Sequence, residues 1–163
     1  MLLKNFVLFL LLLVPTLNNA AQTDQATLKP FVPGSYQQIL TETAQQPFML
    51  VVWSITCSSC LKDMALLNSL HKKYPKLKMV MLATDGAQAS TQIQGILQKN
   101  ELTTVENWNY ADENSQKLQY EIDPTWYGEL PRTYFFDKAH QREGISGVLI
   151  EADYQAHFAK ILK

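Results

Sequence analysis

An α/β fold, a central mixed sheet with helices on both faces, is predicted by three observations. Apolar runs of strand length alternate with segments of helical periodicity. The alternation ends in two strand-like runs joined by a short turn, and an amphipathic segment closes the chain. The 163 residues suit one domain, and 47% hydrophobic residues is enough for an ordinary core.

The first residues, Met1-Leu2-Leu3-Lys4-Asn5, lead into an apolar run and then to Pro15, Asn18, Asn19, Ala20 and Ala21. A short basic start, about ten apolar residues and small residues beyond them describe a secretory signal over residues 1–20. The run is shorter than the roughly 20 residues needed to cross a bilayer, and an uncleaved anchor is the alternative. Residues 21–34 are polar and proline-bounded and read as a flexible lead-in, which leaves 35–163 as the folded domain. A formal net charge of −1 gives no electrostatic reason for a nucleic-acid or anionic-membrane partner. Nothing in the sequence calls for a cofactor, and the chain reads as a monomer.

The elements follow in order. Ser35 is placed to cap a short helix over 35–44, with Tyr36, Ile39 and Leu40 on one face. The run 48–53 is apolar throughout, as a buried strand requires. A helix over 58–74 puts Leu61, Met64, Leu67, Leu70 and Tyr74 at helical spacing, and Pro75 stops it. Residues 78–83 read as a second buried strand, 90–100 as a helix with Ile93, Ile96 and Leu97 inward, and 105–110 as a third strand. A short helix near 114–120 follows. Residues 133–137 and 145–150 are predicted as strands four and five, around a turn at 138–144. The last helix, 151–162, carries Tyr154, Phe158, Ile161 and Leu162 on one stripe. Right-handed crossovers then put the end of the 48–53 strand at a central position of the sheet, where α/β folds place their sites.

Both cysteines lie at that point, in Trp53-Ser54-Ile55-Thr56-Cys57-Ser58-Ser59-Cys60. A helix N-terminus offers unpaired N–H groups and a positive dipole end, which favour thiolate over thiol. Two intervening residues let the second thiol attack a mixed disulfide made by the first, so the spacing suits a redox pair. A structural disulfide is the alternative, but so short a loop would constrain the unfolded chain little. Cu(I) binding by the two thiolates is another; His71, His140 and His157 are available, none in a motif that points to the cysteines. Metal binding is not the reading adopted.

The chain resembles thioredoxin-fold proteins, and among them the exported TlpA/ResA-type thiol-disulfide oxidoreductases of bacteria. The stretch from Trp53 to Cys60 is similar to that family's F-W-A-x-W-C-x-x-C turn. Gly128-Glu129-Leu130-Pro131-Arg132-Thr133-Tyr134-Phe135-Phe136-Asp137 is similar to its G-x-P-x-T-[FY]-[FL]-[IV]-D segment. Asp63 stands where the subgroup has an acidic residue. Three departures bear on redox potential and partner choice. Thr56 replaces the tryptophan before the first cysteine, Ser59 the usual proline, and Val51 the buried aspartate of thioredoxin.

The resemblance implies a thioredoxin-like three-layer fold and a redox-active Cys57–Cys60 disulfide. Cys57, ahead of the helix, is the expected attacking thiol, and Cys60, one turn in, the resolving one. Pro131 is expected to be cis and to face the cysteines, an ordinary trans proline being the alternative. Leu130 would offer its backbone to an extended substrate segment. Asp63 either exchanges a proton with Cys60 or simply faces water. Trp53 reads as a wall of the turn and, with Leu130, as a candidate contact for partners; Trp126 and Tyr127, just upstream of the proline, form either a further contact surface or part of the core. The implied function is exchange of disulfides with other proteins, in the reducing direction, in the periplasm, with a membrane thiol transporter as electron donor. An oxidant, a copper carrier and an adaptor with vestigial cysteines are the rivals.

Overall fold

The computed structural model describes residues 25–163; the predicted signal segment, 1–20, lies outside them. Among the described residues, six strands form one sheet: β1 (Leu28–Phe31), β2 (Phe48–Trp53), β3 (Lys78–Ala83), β4 (Glu106–Tyr110), β5 (Arg132–Phe136) and β6 (Arg142–Ser146). Five α-helices accompany them: α1 (Ser35–Glu42), α2 (Ser58–Lys73), α3 (Ser90–Lys99), α4 (Ser115–Ile122) and α5 (Glu151–Ile161). The strand order is β1-β4-β3-β2-β5-β6. The first four strands in that order run parallel, and β5 and β6 are antiparallel additions. The predicted mixed sheet is therefore present, with β2 in its interior.

Side chains alternate across the sheet. Met49, Val51 and Trp53 of β2 join Met79 and Met81 of β3 in a core closed by α2, α3 and α5. Phe48, Leu50 and Val52 face the other way, onto Val80, Leu82 and a core closed by α1 and α4. Every residue of β2 is buried. A strand covered on both faces needs no polar alternation, and that is why this one reads as a continuous apolar run.

Three expectations need correction. The lead-in placed at 21–34 contains β1, which pairs in parallel with β4 from Leu28–Asn107 to Phe31–Tyr110. Four residues with a proline among them give little strand signal, and an edge position tolerates that proline. Ser35 does not cap α1: Gly34, at φ +90°, holds the cap position, and the Ser35 hydroxyl accepts from the Val32 N–H at 2.9 Å. The last strand lies at Arg142–Ser146, earlier than predicted. The Asp137 carboxylate accepts from the Ala139 and Gln141 N–H groups, 2.9 Å each, and closes the hairpin sooner.

Candidate active site

The turn after β2 is built by one carboxylate. Asp85, just past the end of β3, accepts from the Ile55 N–H at 2.9 Å and from the Ser54 hydroxyl at 3.0 Å. Ser54 Oγ in turn accepts from the Thr56 N–H at 3.1 Å, and the Cys57 N–H donates to the Ser54 carbonyl at 3.1 Å. The Thr84 N–H donates to the Trp53 carbonyl, so the neighbouring strand fixes the same turn. This network delivers Cys57 to the cap position of α2. Its Sγ accepts from the Cys60 N–H at 3.1 Å and lies 3.4 Å from Ser59 Oγ. The two cysteines form a disulfide, S–S 2.03 Å. Cys57 is half-buried, whereas Cys60 is 2% exposed. One sulfur is accessible and the other is sheltered, and one N–H left over from the helix start, that of Cys60, points at the accessible one.

Beneath the disulfide is a small cavity lined by Val51, Trp53, Cys60, Asp63, Met64, Leu67, Pro131 and Tyr154. Its volume, about 10 Å³, is at the lower limit for one water molecule. The Leu130–Pro131 bond is cis, as the sequence reading expects, and Pro131 is buried against this cavity. Asp63 and Cys60 are one turn apart on α2 and share the cavity. Among the described residues Asp63 has no ion-pair partner, and burial pushes its carboxyl above the ordinary value. Val51 leaves the sheet side of the cavity without an acid, and Asp63 supplies one from the helix side.

Leu130 is half-buried between the two cores. Among the described residues, no backbone hydrogen bond engages its N–H or C=O. The Gly147 N–H donates to the Pro131 carbonyl at 2.8 Å, which brings the loop ahead of α5 onto the proline. Trp53 and Trp126 do not sit where a partner could touch them: they are 1% and 4% exposed. The Trp126 indole N–H donates to the Glu129 carbonyl at 3.0 Å, so its polar edge is satisfied internally. Its neighbour Tyr127 is 89% exposed and is the aromatic residue this loop presents.

Sequence reading missed two residues of the site. Asp85 carries no motif, and only the pairing of β2 with β3 brings it to the turn. Tyr154 is visible in the sequence merely as one member of a core stripe, yet its ring reaches the cavity from α5. Burial, together with the negative charge of Asp63, pushes its phenol up to about 12, against the opposing effect of the adjacent Thr133 hydroxyl. The histidines are engaged elsewhere: His71 with Thr104, His140 with Thr43, and His157 with Glu143.

The chain matches no protein-family model and no curated protein sequence. Its likeness is to solved structures. A secreted disulfide oxidoreductase of Mycobacterium tuberculosis, homologous to E. coli DsbE, superposes with a TM-score of 0.59 at 17% identity, over 74% of this chain and 85% of that one. A thiol:disulfide interchange protein of the thioredoxin family from Chlorobium tepidum gives 0.61 at 12% identity, over 76% and 85%. StoA from Bacillus subtilis gives 0.53 at 13%, over 70% and 83%. With its own strand order and helix layers, these superpositions establish that the chain has the thioredoxin-like fold.

Proposed function

We propose that this protein is an exported thiol-disulfide oxidoreductase that reduces disulfides in other proteins. The single observation that carries the reading is the Cys57–Cys60 disulfide at the start of α2, with Cys60, Asp63 and Pro131 lining one cavity beneath it. In the reduced protein, the Cys57 thiolate attacks a sulfur of the partner's disulfide. A mixed disulfide forms and the partner's other sulfur leaves as thiolate. Cys60 then gives its proton to Asp63 and attacks Cys57 Sγ. The internal disulfide forms, the partner's second thiolate departs, and two electrons have passed to the partner. The free backbone of Leu130 suits strand-like pairing with the docked segment.

Export to the periplasm, electron supply by a membrane thiol transporter and the monomeric state belong to the same reading. The solved relative described as secreted supports export. Among the described residues no helix is long and apolar enough to cross a membrane.

The test is the reduction potential of the Cys57/Cys60 couple in glutathione buffers, beside an insulin-reduction assay. A potential near thioredoxin's, about −270 mV, is expected; a value near −120 mV would make the protein an oxidant instead. No exchange at all would leave an adaptor, and stoichiometric Cu(I) uptake by the reduced protein without exchange would leave a carrier.

Asp63 gives a second expected result, with its sign set by burial. Its carboxyl holds a proton more tightly in the folded than in the unfolded chain. Between those two pKa values the folded state carries more protons, so stability falls as pH rises through the window and stays reduced above it. Asp63→Asn is therefore expected to melt at a higher temperature than the parent at pH 7. The two melting curves should converge below the unfolded value of about 3.9. The same variant should resolve mixed disulfides roughly 10²-fold more slowly at pH 7. That deficit should narrow above about pH 8.5, where a free thiol ionises unaided. Parental rates across the whole range would remove Asp63 from the proton path.

A further inference from the structure

Helix α3 has a glycine in its middle, where glycine weakens a helix relative to alanine. Packing does not ask for it: a Cβ built on Gly95 meets no atom within 4 Å. Nor does the backbone, since Gly95 is not among the positive-φ residues. Gly144 shows the contrast, because a Cβ there would lie 2.5 Å from Arg132 Nη2. Gly95 instead lines a groove of about 580 Å³, together with Ile55, Thr56, Gln92, Ile96 and Lys99, and a Cβ added there would project into open space.

The position of this groove connects it to the chemistry. One wall, Ile55–Thr56, is the turn that runs directly into Cys57. The other is α3, which follows β3. In the sheet β3 and β5 flank β2 on opposite sides, so the groove and Leu130, just ahead of β5, lie on opposite sides of the cysteine turn. Ile55 and Ile96 make the lining apolar. Lys99 is the single charged residue in it, and among the described residues it makes no hydrogen bond or ion pair.

We propose that this groove docks the polypeptide flanking the target cysteine of a disulfide substrate, taking an apolar side chain over Gly95 and a carboxylate at Lys99. The inference rests on the oxidoreductase reading above and gives that reading a substrate preference. A segment crossing Cys57 pairs with the Leu130 backbone on one side, which is indifferent to sequence. On the other side it is selected by the groove. The omission of a side chain at position 95 then has a reason outside the folding of the chain itself.

The test uses the full chain and three probes: 2-hydroxyethyl disulfide and two synthetic peptide disulfides. One peptide has leucine beside its cysteine and glutamate farther along; the other has serine and glutamine in those places. The parent is expected to favour the first peptide by about tenfold in kcat/KM. Gly95→Leu should abolish that preference, melt no lower than the parent, and exchange the small disulfide, too short to reach α3, at the parental rate. Lys99→Glu should lose part of the preference and regain it with a peptide carrying lysine in place of glutamate. Equal peptide preference in Gly95→Leu and parent would overturn the proposal. So would an equal loss with the small disulfide, which would make the groove a support of the redox turn. A parent that failed to exchange even 2-hydroxyethyl disulfide would instead sink the oxidoreductase reading, and the groove's role with it.

Discussion

Cys60→Ser is expected to accumulate covalent complexes with partner proteins, and Cys57→Ser to accumulate almost none. The asymmetry is built into the start of α2. Cys57 is half-buried at the cap position, with the Cys60 N–H aimed at its sulfur; Cys60 is enclosed by Val51, Trp53, Met64 and Pro131. An incoming disulfide can reach the first sulfur and not the second. With Cys60 removed, the mixed disulfide on Cys57 has no internal nucleophile to release it and persists until an external thiol arrives. Both variants should lose insulin reduction almost completely, since two-electron transfer needs both sulfurs. The readout is non-reducing electrophoresis of the tagged protein from intact cells, followed by reduction to release the captured chains. Equal trapping by the two variants, or trapping by Cys57→Ser alone, would reverse the assignment.

The parts of this arrangement legible in the sequence are those that depend on local chemistry. The cysteine pair, the strand before it and the helix after it form one continuous stretch, and the apolar and helical periods there are unambiguous. Pro131 was legible through its flanking segment. What stayed hidden is what only topology assembles. Asp85 reaches the cysteine turn because β3 lies beside β2, and Tyr154 reaches the cavity because α5 folds back over it. Neither residue type is unusual for its local setting, so no pattern marks either. The sheet edges were hard to read for a related reason. β1 buries only Phe31 fully, and no residue of β6 is fully buried, so neither shows the alternation of a half-buried strand. Proximity to the proline alone does not tell core from contact surface for Trp126 and Tyr127, and the structure divides them: Trp126 is core and Tyr127 is exposed.

Asp123→Ala is expected to produce the largest loss of stability of any single substitution outside the hydrophobic cores. The carboxylate is 7% exposed and is the hub of the segment that leads to the proline. It accepts from the Thr125 hydroxyl and N–H at 2.7 and 3.0 Å, from the Tyr134 hydroxyl at 3.1 Å and from Arg132 at 3.1 Å. Arg142 Nη2 lies 3.3 Å from Oδ1, the oxygen that also accepts from Thr125, while Arg132 and Tyr134 share Oδ2. Both guanidinium groups also lie against the Tyr134 ring, at 4.7 and 5.3 Å. Burial opposes the charge on Asp123, yet the Thr125 bonds, Arg142 and Tyr134 outweigh it and hold the carboxyl below the ordinary aspartate value. Removing it leaves two partly buried cations without a counter-charge and Tyr134 without its acceptor, a loss of about 3–5 kcal/mol. In a domain of this size that lowers the melting temperature by roughly 10 °C or more. A group with a depressed folded pKa contributes stability that is fully present above its unfolded value of about 3.9 and is lost as pH falls through the folded one. The gap between parent and variant should therefore be full at neutral pH and shrink only in strong acid. Arg132 follows Pro131 directly, and Thr125 opens the loop that ends there, so the surviving folded fraction should also reduce protein disulfides more slowly than small ones. A variant melting within about 1 kcal/mol of the parent at pH 7 would show that the two arginines are held by solvent and the tyrosine ring rather than by Asp123.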